Sequence, residues 1–397
     1  MEKFLILGAG VYQLPLIEAV KSRGLHSIVA SRAENYPGIE LADTFLEIDT
    51  TDRESILAAA KRFSISGIAT TGSDVCIPSI GYTVDSLGLS GTGFDASLKS
   101  MNKRSMKEAF HANLIPSSKF RVAKTIAEVL EFRNEIGFPM AIKACDSSGS
   151  RGISRVDNEE QIEGAFNESL EISNEEFVIV EEWLEGVEFG VQAVVSNGEV
   201  IDMIFHNDQT TSPPKVVPIG HSVPFSMPEL KEESRKIIQN AISALGINQT
   251  VANVDLLQTP EGTKILEIGS RIGATCIPEL CESLTGVNFY EVVVDLALGK
   301  IMSDPFPRKS GAWAAILIRS RKHGNINPMP QIPEELCNEF GITSVQMDYE
   351  FGGGVHEFST GDHRIGHLLS SSDSVEGAEE AVFECERKYV ELLEWSP

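Results

Sequence analysis

The opening residues alternate between apolar runs and helical spacing, and few folds accept that alternation. "FLILGAG" is an apolar strand ending in glycine. "LPLIEAVKSRG" then carries apolar residues at helical spacing and stops at a glycine. "SIVAS" is a second strand. "TTDRESILAAAKRF" is a helix that Thr51 and Glu54 would open as a capping box. "ISGIATTG" is a third strand. Roughly the first 90 residues therefore predict a doubly wound parallel sheet.

The pattern then changes. A single lysine-rich helix, "SLKSMNKRSMKEAFHAN", is broken at Pro116, and "KTIAEVLEFRNEIG" is a helix boxed by Thr125 and Glu128. The strand "PMAIKA", a glycine-serine loop and the strand "ISRV" follow. Strands around "EFVIVEEWL", "VEFGVQAVVSNG" and "EVIDMIFHN" read as antiparallel, with Ser196-Asn197-Gly198 as a turn. Residues 207–222, rich in Pro, Ser and Thr, read as a loop. "VANVDLLQTPEGTKILEIGSRIG" is a hairpin over a Pro-Glu-Gly turn, and a last helix ends near Gly299. "SSSDS" at 370–374 caps the final helix. The fold class is α/β plus α+β. The expected segments are 1–95, doubly wound; 96–185, a linker helix and a first lobe; 186–304, a second lobe; and 305–397, a small α+β cap.

Bulk properties exclude several function classes. The formal charge is -25, from 58 acidic and 33 basic residues. That surface does not suit a nucleic-acid partner. No apolar run reaches the roughly 18 residues that span a bilayer, so no membrane partner and a cytoplasmic location are expected. The six cysteines form no Cys-x-x-Cys pair and no zinc spacing, and they read as reduced thiols.

Four motifs carry chemistry. Gly8-Ala9-Gly10 follows a strand, but a dinucleotide fingerprint needs a third glycine where Gln13 stands and an acid where Ser31-Arg32 ends the second strand. It reads as a tight strand-to-helix turn. "KACDSSGSRGI" places Lys143 before Ser148, Gly149, Ser150, Arg151 and Gly152. Successive N–H groups in such a loop can form a nest for phosphate oxygens, with Lys143 as a point charge; a plain surface hairpin is the other reading. "VIVEEWLEGVEFG" offers a backbone edge at Glu181, Glu182, Trp183 and Leu184, then Glu188. In the hairpin, Asp255 and Glu267 lie on paired strands with Arg271 beyond them. Two carboxylates there need compensation, which magnesium or a structural arginine pair can provide.

The order of these motifs resembles the ATP-grasp superfamily over nearly the whole chain, in its carboxylate–amine (L-amino acid) ligase and carboxylase-like branch. The order runs from the doubly wound sheet through Lys103, Lys143 with its loop, and Glu181 to Glu188, to Asp255 and Glu267-x-x-x-Arg271. "GHSVPFSMPE" and "DHRIGHLLSSSDSVEGAEEA" are similar to pieces of L-amino acid ligases. The resemblance implies a two-lobed ATP-grasp domain. It implies that Lys103 and Lys143 contact the phosphates of ATP and that residues 148–152 cover them. The backbone around Glu182 to Leu184 would hold adenine, and Glu188 the ribose. Asp255 and Glu267 would hold Mg2+, with Mn2+ as an alternative ion, and Arg271 would act on an anionic substrate or an oxyanion. Many relatives read Glu-x-Asn at the metal strand, whereas this chain has Gly269; water, a bridging Asp255 or Asn253 would have to substitute. The implied reaction activates a small carboxylate as an acyl phosphate and joins it to an amine, and a homodimer is the implied assembly. A bicarbonate-using carboxylase, an NAD(P)-binding oxidoreductase resting on Gly8-x-Gly10, and a nucleotide-binding regulator are the competing readings.

Overall fold

Strand β1 (Lys3–Leu7) is buried along almost its whole length, as a strand covered on both faces must be. A computed structural model of the chain describes residues 1–146, 152–211, 216–326, 330–348 and 353–393. In it β1 pairs in parallel with β2 (His26–Ser31), which pairs with β3 (Thr44–Glu47); β4 (Gly67–Ala69) flanks β1 on its other side. The order β3-β2-β1-β4 is the expected doubly wound sheet. Its core gathers Leu5, Leu7, Ile28, Ile56 and Ile68. Elements not foreseen here include the short helix Gly38–Leu41, β3, a half-buried four-residue edge strand, and the helix Ile77–Leu87. One cap is a correction. The helix Arg53–Phe63 is capped by Asp52, whose Oδ1 accepts from the Ser55 N–H at 3.1 Å. Thr51 instead donates its hydroxyl to Asp49 at 2.7 Å. Aspartate caps at least as well as threonine, and the nearer turn claims the hydroxyl.

The lysine-rich segment is two helices, Phe94–Met101 and Lys103–Ala112, not one. Asn102 separates them in extended backbone and caps the second, accepting from Ser105 N–H at 3.0 Å. The Thr125–Glu128 box opens the helix Ile126–Ile136 as expected. A second sheet follows: β5 (Phe120–Ala123), β6 (Met140–Ala144), β7 (Ile153–Val156) and β8 (Val178–Glu182), in the antiparallel order β5-β8-β6-β7. Met140, Ile142, Val178 and Val180 enter one core with Val129, Phe132 and Phe166. By the period-two rule Lys143 and Glu181 then share the opposite face.

Strand β9 (Val187–Ser196) leads through Asn197 (φ 53°) and Gly198 (φ 78°) into β10 (Glu199–Thr210). Two positive φ values in a two-residue turn are the hairpin geometry that Asn-Gly favours. Residues 207–222 are less loop than expected. Strand β11 (Pro218–Val223) pairs antiparallel with the end of β10, Asn207 opposite Ser222. Strand β12 (Thr250–Thr259) lies between β9 and β13 (Gly262–Gly269), both antiparallel.

The chain divides into two compact units. One comprises Met1–Ile204, Glu229–Ala274 and Phe289–Pro305, and the other Phe205–Pro228, Thr275–Asn288 and Phe306–Pro397. In the second unit β11 pairs with β14 (Ala312–Arg319), which pairs with the strand Arg364–Ser372. Ile316, Ile318, Leu368, Val382 and Tyr389 form its core, and Ser374 caps the final helix, Val375–Leu392. Among the described residues no helix is long and apolar enough to cross a membrane.

Candidate active site

Glu181 is the last residue but one of β8, on the face away from the core. It is 2 % exposed. Its Oε2 receives Lys143 Nζ at 3.0 Å, Ser118 Oγ–H at 2.6 Å and Lys107 Nζ at 3.4 Å. The Lys143 contact is the diagonal cross-strand one, because Ala141 sits directly opposite Glu181 in the β6–β8 ladder. Lys107 also donates to Ser118 Oγ at 2.7 Å. Burial alone would push the Glu181 carboxyl up, but Lys107 and Lys143 with the Ser118 hydroxyl hold it down, at about 2. Burial dominates at Lys107 and pulls its ammonium below the usual lysine range. Two lysines share one carboxylate, so positive charge is in excess on this face.

Lys103 lies one helical turn before Lys107, so both project from one face of the helix. The helix start is fixed by Lys103 N–H donating to Cys145 O at 3.0 Å. Lys103 Nζ reaches Glu267 Oε1 at 3.4 Å. Burial disfavours its charge, yet Glu267 outweighs burial and its pKa is raised.

In the hairpin Asp255 stands directly opposite Glu267, and Asn253 opposite Gly269. Directly opposed like charges destabilise a ladder unless a cation intervenes. The register slips between Asp255 and Leu256, skipping Leu266, and such a bulge re-aims side chains. The donor set, two half-buried carboxylates on one face beside an ammonium, fits a hard divalent cation. Asn253 does not offer its oxygen there. Its Nδ2 donates to Asp255 Oδ1 at 2.9 Å, while its Oδ1 accepts from Gln192 Nε2 at 2.6 Å. Gln192 is held in turn by Gly273 N–H at 2.9 Å. Asn253 therefore orients Asp255.

Arg271 donates from Nη2 to Asp74 Oδ2 at 2.6 Å and from Nη1 to Ile272 O at 3.2 Å. Burial opposes its charge, but Asp74, Asp255 and Glu267 raise its pKa. Gly269 has a local reason: an added Cβ would lie 3.3 Å from Asp74 Oδ1 and 3.6 Å from Arg271 Cζ. A side chain at 269 would crowd that ion pair.

The edge expected at 181–184 is narrower than foreseen. Glu182 N–H donates to Lys119 O at 3.0 Å and Trp183 N–H to Pro139 O at 3.3 Å, so these two N–H groups are already engaged. The Glu182 carboxylate accepts from Lys119 N–H, and Arg155 stacks on Trp183 at 5.0 Å. Glu188 is half-buried near the start of β9, opposite Leu257. Ser148, Gly149, Ser150 and Arg151 lie outside the described residues. Gly152 (φ 65°) closes the β6–β7 hairpin, its carbonyl accepting from Ala144 N–H at 2.7 Å. Cys145 is fully buried, and burial raises its thiol pKa, so it is no nucleophile. In the Gly8 turn, Gln13 Oε1 accepts from Gly10 N–H at 2.9 Å. Gln13 is thereby packed where a dinucleotide fingerprint needs a bare glycine, against the NAD(P) reading.

Sequence reasoning missed Lys107, Ser118 and Asp74. Lys107 had a signal, the four-residue spacing from Lys103; the other two had none.

Comparison with known proteins agrees with this arrangement. Residues 101–275 match the ATP-grasp domain family. The chain is 24 % identical to formate-dependent phosphoribosylglycinamide formyltransferase of Methanocaldococcus jannaschii, over 96 % of this chain and 95 % of that protein. It is 25 % identical to alanine–anticapsin ligase of Bacillus subtilis, over 62 % of this chain and 57 % of that one. The crystal structure of phosphoribosylglycinamide synthetase from Anaerococcus prevotii superposes with a TM-score of 0.78 at 26 % identity, covering 97 % of this chain and 98 % of that one. Its lysines and its acidic hairpin lie in the matched stretch, so residues 101–275 of this chain carry an ATP-grasp domain.

Proposed function

We propose that the chain is an ATP-dependent ligase that activates a small carboxylate, an amino acid foremost, as an acyl phosphate and joins it to an amine. The observation that carries this reading is the Lys103–Glu267 contact, which ties the lysine-rich face to the acidic hairpin. A triphosphate needs cations on its oxygens, and a metal-bound one needs carboxylates beside them. The relative named as alanine–anticapsin ligase supports an amino acid as one substrate.

Lys103 and Lys143 bind the phosphates, and Glu181 holds Lys143 in place until they arrive. Glu188 is assigned to the ribose and the Leu184 backbone to the base edge. Asp255 and Glu267 would hold magnesium, which when bound would neutralise charge on the transferred phosphoryl group. Arg271, oriented by Asp74, faces the anionic substrate and the oxyanion that develops during amine attack. In the first step the carboxylate oxygen displaces ADP from the γ-phosphorus. In the second the amine forms the C–N bond, phosphate leaves, and the amine loses a proton. Residues 148–151 are assigned to covering the phosphates.

The test is ATP-dependent phosphate release over pairs of amino acids, with mass detection of the product, beside bicarbonate alone. Release with amino acids and a condensed product is expected, and Lys143→Ala should lower the rate by at least about 100-fold. Release with bicarbonate alone would replace this reading with the carboxylase one.

A further inference from the structure

In the second unit, β10 and β11 bring two histidines and an aspartate to one point. Asp208 stands directly opposite His221 in the ladder, and His206, two residues before Asp208, shares its face. His206 is 2 % exposed and His221 4 %. Both Nδ1 atoms lie 2.7 Å from the same atom, Asp208 Oδ1. The rings meet edge to face, 5.0 Å between centroids at 80°. Two imidazoles that only satisfied a carboxylate could take one oxygen each; here both converge on Oδ1, which gathers two nitrogens and one oxygen at one place. One ligand atom from each residue lies within 4.8 Å of the others.

We propose that His206, Asp208 and His221 form a binding site for a zinc-class divalent transition metal, separate from the carboxylate pair of the hairpin. Nitrogen donors select such an ion, whereas magnesium prefers oxygen. Metal–ligand bonds of about 2.0–2.1 Å in tetrahedral geometry put neighbouring donors roughly 3.3 Å apart. The 2.7 Å contacts therefore need to open by only about half an ångström, within reach of side-chain rotation on a fixed ladder. On binding, the imidazoles ligate through Nδ1 with their protons on Nε2. Three protein ligands leave a fourth position for water or a substrate atom.

The site is tested without nucleotide, so its fate is independent of the ligase reading. The full-length chain, freed of metal by chelation, is titrated with Co2+. One equivalent should bind with the visible absorption of four-coordinate cobalt, and Asp208→Asn and His206→Gln should each weaken it at least about ten-fold. Zinc-edge X-ray absorption on the unaltered protein covers the case in which a variant does not fold, and a shell containing two imidazoles is expected. Absence of cobalt binding, equal affinity in both ligand variants, or an oxygen-only zinc shell would overturn the proposal.

Discussion

Two ammonium groups, those of Lys107 and Lys143, meet on the carboxylate of Glu181, and that carboxylate has no exposed route to water. Removing one member of a buried ion group leaves the others uncompensated, typically at a cost of about 3–5 kcal/mol. Glu181→Gln should therefore lower stability at neutral pH by that order. The pH dependence has a definite sign. The folded-state pKa, about 2, lies below the ordinary 4.5, so the contribution is present above 4.5 and is lost as pH falls toward 2. Chemical denaturation across that window should give a shallower slope for Glu181→Gln than for the parent chain; equal slopes would mean that Glu181 is not held ionised. Lys143 stood out in the sequence because a glycine-serine loop follows it, and Glu181 because an apolar strand runs into an acidic pair. Lys107 was not, because a lysine on a lysine-rich helix reads as solvated surface. Its fully buried partners come from β8 and from Ser118, which no local pattern links to it.

The acidic hairpin was the most readable element. Its turn and its alternation follow from strand periodicity, whereas the opposition of Asp255 to Glu267 comes from the register slip after Asp255, without which Asp255 would face Leu266. What periodicity could not supply is the partner of Arg271. Asp74 lies 197 residues away, after β4, and only the folded sheet brings it near. The same locality explains the misplaced cap at Thr51, where two adjacent residues competed for one role, and the short edge strand β3, whose four residues carry too little pattern. Gly269 gains its meaning only from the Asp74–Arg271 pair. Arg271→Lys keeps the charge but cannot span both Asp74 and the Ile272 carbonyl. It should lower kcat/KM on the order of 100-fold through misplacement of the cation, and Asp74→Asn should lower it in the same direction by less. Steady-state kinetics of the two variants checks this, and an unchanged kcat/KM in Arg271→Lys would remove that residue from the mechanism.

At the scale of the whole molecule, the residues assigned to ATP and its metal come from two separated stretches of one compact unit, Met1–Ile204 and Glu229–Ala274. The matched domain, 101–275, holds the lysines and the hairpin, whereas Asp74 lies before it, in the segment that follows β4 of the doubly wound sheet. The stretch that builds that sheet therefore contributes a charge to the site as well as a core of its own. The most direct test is a crystal structure of the chain with magnesium and a non-hydrolysable ATP analogue. The triphosphate should lie between Lys143 and Glu267, with Lys103 on its oxygens and the metal on Asp255 and Glu267. A triphosphate bound anywhere else, or a metal bound away from that carboxylate pair, would contradict the account.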